Sequence, residues 1–185
     1  MLIKRQEKIL YKDWLYIWLN ERKNYIKEST YANYSNIVYN HIIPKLGNYK
    51  LTDLTNQIMQ NFLLELFNNG RLDNKGGLSE KSIKDIATVL KLSLKRAIYF
   101  NKIDNIYFDF VYPKREYKKI VTLNKAEQKK ITNYLINNVN NKNIGILLAL
   151  YTGIRIGEIC ALKWKDINFK NNTIIINKTL QRIYI

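Results

Sequence analysis

The sequence predicts a mainly α protein, in which an N-terminal four-helix domain is followed by the truncated start of an α+β domain. Three observations carry this. Apolar residues recur at helical spacing through four segments of the first hundred residues. A stretch around Pro113 loses that period and carries the cations Lys114, Arg115, Lys118 and Lys119. Past Asp166, β-branched segments flank a turn at Asn171-Asn172, the pattern of a sheet beginning.

Leu10, Trp14, Ile17 and Trp18 follow the i, i+4, i+7, i+8 spacing of an amphipathic helix that ends near ERKNYIK. Ser29 offers the cap for a second helix, which Pro44 and the KLGN turn should stop. A third runs from Thr55 through NQIMQNFLLELFNN to Gly70. Ser79 caps a fourth, whose stripe of Ile83, Ile86, Ala87, Leu90, Leu94, Ala97 and Ile98 is continuous. Helices of this size with short connections form a bundle. The expected boundaries are a helical domain at 1–104, a basic interdomain linker at 105–120 and a partial second domain at 121–185. In the last, Asn124 and Glu127 form a capping pair, and NIGILLALYTG reads as a buried helix broken at Gly153. Cys160, in an apolar run, reads as a core residue. A strand from Thr173 to Lys178 has no downstream neighbour, and an exposed edge there is an aggregation risk.

Charge speaks to partners. The chain carries 31 Lys+Arg against 15 Asp+Glu, a formal +16, with +9 up to Ile120 and +7 beyond it. Such an excess attracts polyanions. One cysteine excludes an internal disulfide framework and a cysteine zinc site, and the lone histidine, His41, reads as structural. The seven glycines form no phosphate loop, and Glu127, Glu158 and Asp166, the only acids of the second half, are not paired for hydrolysis. The N-terminus lacks the apolar core and cleavage site of a signal peptide, and NIGILLALY is too short to span a bilayer. A cytoplasmic protein with no membrane and no small-molecule partner is expected. Its Asn, Lys, Ile and Tyr usage suggests an AT-rich bacterial or phage coding sequence.

At about 100° per residue, Lys81, Lys84, Thr88, Lys91 and Lys95 share one narrow face of the fourth helix, away from its apolar stripe. A solvated face is the plain reading. The net charge, the basic linker and the neighbouring Arg96 favour a surface that tracks a phosphate backbone. In YTGIRIGEICALKW, Gly153 ends one helix and Arg155 heads the next, where a guanidinium beside backbone N–H groups suits a phosphate and Glu158 could orient it.

TGIRIGEICALKWKDI resembles the first conserved box of the tyrosine recombinases, the integrases of phages and conjugative elements. STYANYSNIVYNHIIPKLGNYKLTDLT and LSEKSIKDIATVLKLSLKRAIYFNKI resemble that family's core-binding, SAM-like helical domain, and LNKAEQKKI the opening of its catalytic domain. The resemblance implies that Arg155 grips the scissile phosphate and that Glu158 supports it. Thr30 and Asn33 match positions facing the core site. Lys81, Ser82 and Lys84 open the helix that approaches the backbone, and Trp164, in the family's Leu-x-Trp-x-Asp-Ile segment, reads as core. Lys91 and Lys95 of the lysine face and Lys114 and Arg115 of the basic linker are further candidate contacts read from the charge pattern itself. The resemblance also implies duplex DNA as partner, other integrase protomers on that DNA, a clamp formed by both domains, and strand exchange through a 3′-phosphotyrosyl intermediate without metal or nucleotide cofactor. The family's hairpin lysine, His-x-x-Arg segment and tyrosine nucleophile are not found after Glu158, since Lys178 and Tyr184 come too early. DNA binding without cleavage is therefore expected of this chain. The alternatives are a natural remnant that competes with an intact integrase, and a helical RNA-binding or regulatory protein.

Overall fold

The structure is a computed structural model that describes residues 9–114 and 121–183. These residues fall into two compact units, the first made of residues 9–114 with Ile183 and the second of residues 121–182. Among the described residues, no helix is long and apolar enough to cross a membrane.

In the first unit, α1 (Tyr11–Arg22) follows Ile9 and Leu10, which are pinned to the 49–51 turn by Tyr11 N–H to Tyr49 O and Leu51 N–H to Ile9 O, each 2.9 Å. The next helix, α2 (Glu28–Ile37), starts earlier than expected: Lys27 is its N-cap, and Ser29 lies inside the first turn without capping it. Nor does Pro44 stop it. The chain passes through a π turn at Val38–Ile42 into α3 (Ile43–Leu46), and Gly47 closes the helix. A proline lacks an N–H and crowds the carbonyl four residues back, and the wider turn absorbs both defects.

α4 (Asn56–Asn69) and α5 (Glu80–Tyr99) begin as the sequence requires, with Thr55 accepting from Ile58 N–H and Ser79 from Ser82 N–H. Trp14, Trp18, Leu63, Leu90 and Leu94 sit in the common core. Each such side chain removed from water contributes about 1.5–3 kcal/mol before entropy is counted. One polar lock crosses the core: the Tyr11 hydroxyl meets Ser93 Oγ at 2.7 Å, and Trp14 Nε1–H donates to the Ser93 carbonyl at 2.9 Å. Burial pushes the Tyr11 phenol above its ordinary range.

The segment after α5 has no helix or strand, yet it is more than a spacer. Ile103 and Phe110 are buried in the first unit's core. Asn56 Nδ2–H donates to Tyr107 O, and the Gln60 amide binds Val111 twice, donating to its carbonyl (2.9 Å) and accepting from its N–H (3.0 Å).

The second unit holds α6 (Lys125–Asn137), α7 (Asn141–Thr152), α8 (Ile156–Ala161), and the strands β1 (Ile167–Asn168) and β2 (Thr173–Ile174). The capping box of Asn124 and Glu127 is present, at 2.9 and 2.8 Å. Gly153 ends α7 in the left-handed region, φ 70°. Three expectations are corrected. α7 has no fully buried residue, Cys160 is exposed, and Trp164 is 80% exposed. Burial needs an opposing layer, and the described helices and two-stranded hairpin leave one side of α7 and α8 uncovered. β2 does find a neighbour, upstream rather than downstream: Ile167 pairs with Ile174 and Asn168 with Thr173, antiparallel.

Candidate nucleic-acid interface

In the first unit the α5 lysine face is real and mostly solvent-facing: Lys81, Lys84, Thr88 and Lys95 are exposed, and Lys91 is half-buried. It is also furnished. Lys84 Nζ pairs with Glu80 at 2.7 Å, and Lys91 Nζ lies 4.9 Å from the Phe110 ring and 6.0 Å from that of Tyr112. Lys91 and Lys95 border a groove of about 330 Å³ with Asn105, Tyr107 and Phe108. The rings of the extended segment thus flank one side of the row, an arrangement that periodicity could not show. Arg96, beside the stripe, forms a forked pair with Glu21, Nε to Oε2 at 2.9 Å and Nη2 to Oε1, with its guanidinium against the rings of Tyr99 and Phe100. The Arg96 hydrogen bonds hold the Glu21 carboxyl below the usual carboxylate range, against the opposing effect of its desolvation.

The other side of the row drops into a cleft of about 210 Å³ between α2 and α5. Asn33 and Ser82, singled out from different parts of the sequence, both line it, together with Asn36, Asn40, His41 and Asp85. Thr30 sits on α2 one turn before Asn33 and is half-buried. Burial lowers the His41 pKa below its ordinary 6.5, so its ring is neutral at neutral pH. Lys114 is exposed, while Arg115 lies outside the described residues.

In the second unit, Arg155 is the N-cap of α8 in extended backbone, φ −69° and ψ 147°. Glu158 serves it twice: Oε2 accepts from Arg155 N–H at 2.9 Å, and Oε1 lies 3.3 Å from Nη1. The carboxylate is largely covered at 20% exposure, whereas the Arg155 side chain is 85% exposed. The structure presents the guanidinium to solvent, held at its base by Glu158. Thr152 Oγ1 bonds to Leu148 O and accepts from Ile154 N–H at 3.3 Å, which fixes the approach to the turn.

Two supports went unread in the sequence. Leu180 N–H donates to Gly157 O at 2.8 Å, laying segment 179–180 against α8. Buried Asp166 accepts from Lys163 N–H at 2.9 Å, with Lys178 Nζ 4.0 Å away. Tyr184 lies outside the described residues.

A basic helical unit, joined to an α+β unit that carries a Thr-Gly-x-Arg-x-x-Glu turn between its second and third helices, defines the class of the tyrosine recombinases. Residues 10–67 match the family described as phage integrase, N-terminal SAM-like domain, and residues 111–185 match the phage integrase family. The chain is 31% identical over 156 residues to the integrase of Staphylococcus phage L54a, covering 74% of this chain and 42% of that protein. Its fold is shared with the Tn1549 transposon integrase in complex with circular intermediate DNA, at TM-score 0.77 and 22% identity, over 92% of this chain and 55% of that one. It is shared too with the lambda integrase tetramer bound to a Holliday junction, at TM-score 0.70 and 23% identity, over 90% and 47%. This chain belongs to the phage integrase family of tyrosine recombinases. It spans less than half the length of the phage L54a integrase.

Proposed function

We propose that this chain is the DNA-binding portion of a site-specific recombinase and that it holds duplex DNA without cleaving it. The α5 lysine row, beside the polar cleft that Asn33 and Ser82 share, is the observation that carries the reading. Lys81, Lys84, Lys91 and Lys95 neutralise phosphates, with Lys114, Arg115 and Thr30 as outlying contacts. Arg155 supplies the guanidinium for the scissile phosphate, and Glu158 holds it by its backbone and Nη1. A fork of N–H donors aimed at a phosphoryl group stabilises negative charge that grows in the transition state. Proton transfer and nucleophilic attack need further groups, and the single histidine of these 185 residues belongs to the first unit.

The test is a binding titration against duplex DNA at 50 and 200 mM salt, with duplex RNA as competitor. About five phosphate contacts should cost roughly 10²–10³-fold in affinity across that range. Equal affinity for RNA, or binding that ignores salt, would contradict the proposal. A nicked suicide duplex should trap no covalent complex, and Arg155→Ala should weaken binding while leaving the melting temperature in place. The same surface makes the chain a competitor: added to an intact relative that recombines the same site, it should lower recombination in proportion to its occupancy.

A further inference from the structure

We infer that the cleft between α2 and α5 reads base edges, and that Asn36 and Asp85 are the residues that set sequence preference there. The inference rests on the duplex-DNA reading above. Asn33, Asn36 and Asn40 lie at i, i+3 and i+7, so their amides share one side of the helix, and all three line the cleft. The π turn at Val38–Ile42 advances each residue by less than the α-helical ~100°, which brings His41 round onto the same side. Facing them on α5, Ser82 and Asp85 sit one turn apart, just off the lysine row.

Asp85 is the telling residue. It is exposed, it stands four residues after Lys81, and its carboxylate makes no hydrogen bond or ion pair among the described residues. A bare carboxylate beside a phosphate-tracking row weakens non-specific binding to every duplex. What it can gain is a donor on a base, and a carboxylate accepts from the cytosine 4-amino group while an Asn amide pairs with adenine N6 and N7. Phosphate contacts orient a duplex but carry no sequence information, so a reader must stand next to the row and hold groups of both polarities. A cleft of about 210 Å³ is smaller than a usual small-molecule site, and the exposed side chains along its rim, Asn33, Asn36, Asn40 and Asp85, are the groups free to project into a groove.

The experiment selects bound duplexes from a random-sequence library with the 185-residue chain, and repeats the selection with Asp85→Ala, Asn36→Ala and Lys81→Ala, each checked for an unchanged melting curve. The unaltered chain should enrich a motif. Asp85→Ala should flatten a preference of roughly ten-fold to near parity at one or two adjacent positions, while its affinity for random duplex stays level or rises. Asn36→Ala should flatten neighbouring positions. Lys81→Ala should keep the motif and lose affinity for all sequences alike. A motif that survives both the Asp85 and the Asn36 substitutions overturns the inference while leaving DNA binding intact. Failure of the unaltered chain to retain any duplex overturns the DNA reading itself, and the cleft's role with it.

Discussion

A Cβ at Gly157 would lie 2.5 Å from Thr179 Oγ1 and 2.8 Å from the Leu180 carbonyl oxygen, closer than side chains approach in practice. The constraint is space rather than backbone conformation, and it sits two residues from the guanidinium of Arg155. Gly157→Ala must push segment 179–180 away or tilt α8, at a cost of about 1–3 kcal/mol. Hydrogen exchange reads the outcome directly, because the Leu180 amide donates to Gly157 O: its protection should be lost in the variant. Three other residues bear on the response to acid: His41, Glu21, and Asp73, whose carboxyl the Arg71 guanidinium holds down at about 2. His41 is held below its ordinary 6.5 by burial, so the unfolded chain takes up the proton first as pH falls. Its contribution is complete above about 6.5 and is lost as pH drops below that value. Glu21, held below its ordinary 4.5 chiefly by the Arg96 hydrogen bond, contributes above 4.5 and loses that contribution as pH falls through its folded value. Urea unfolding at pH 7.5, 5.5 and 3.5 should therefore weaken in two stages, with His41→Gln removing the first and Glu21→Gln reducing the second, to which Asp73 also contributes.

Elements differ in how much of them periodicity could reveal. α4 and α5 were legible from cap to stop, because Thr55, Ser79 and the apolar stripe act within a few residues of one another. The site divided the same way: the lysine row and the Arg155–Glu158 turn are local patterns. The cleft is not, since Asn33 and Ser82 meet only after α2 and α5 pack. Pro44 was legible as a defect but not as one that a π turn absorbs, because both outcomes start from the same missing N–H. Segment 105–112 was least legible, since its course is fixed by Asn56 and Gln60, 51 residues upstream. The Gln60 amide acts there as a strand edge would, one donor and one acceptor to a single residue. Gln60→Ala should remove both bonds at about 0.5–1.5 kcal/mol each. Exchange of the Val111 amide should speed up, with little change in the amides of α5. Unchanged protection at Val111 would mean that the Phe110 side chain alone anchors the segment.

At the scale of the whole molecule, cohesion is unequal. Nearly all of the fully buried apolar side chains belong to the first unit, and among the described residues of the second only Leu135 joins them. A groove of about 450 Å³ on the second unit is lined by Ile144, Leu148, Ile159, Leu162, Trp164 and Ile174. This is where the sequence misled: the run around Leu148 has the composition of a buried helix, and composition cannot say whether a layer lies opposite. Local stability follows buried contacts, so the second unit should open at a lower free energy than the first. The three tryptophans report on this separately, because Trp14 and Trp18 are 2% and 0% exposed in the first unit and Trp164 is 80% exposed in the second. In the folded chain, iodide should quench Trp164 alone, and a thiol reagent should label Cys160 without a lag. On heating, hydrogen exchange should complete across α7 and α8 before it begins in α5, giving two transitions in circular dichroism, of which only the second exposes Trp14 and Trp18 to quencher. A single transition that exposes all three tryptophans together would show that the two units are energetically one, and that the thin packing of α7 and α8 is compensated through the first unit's core.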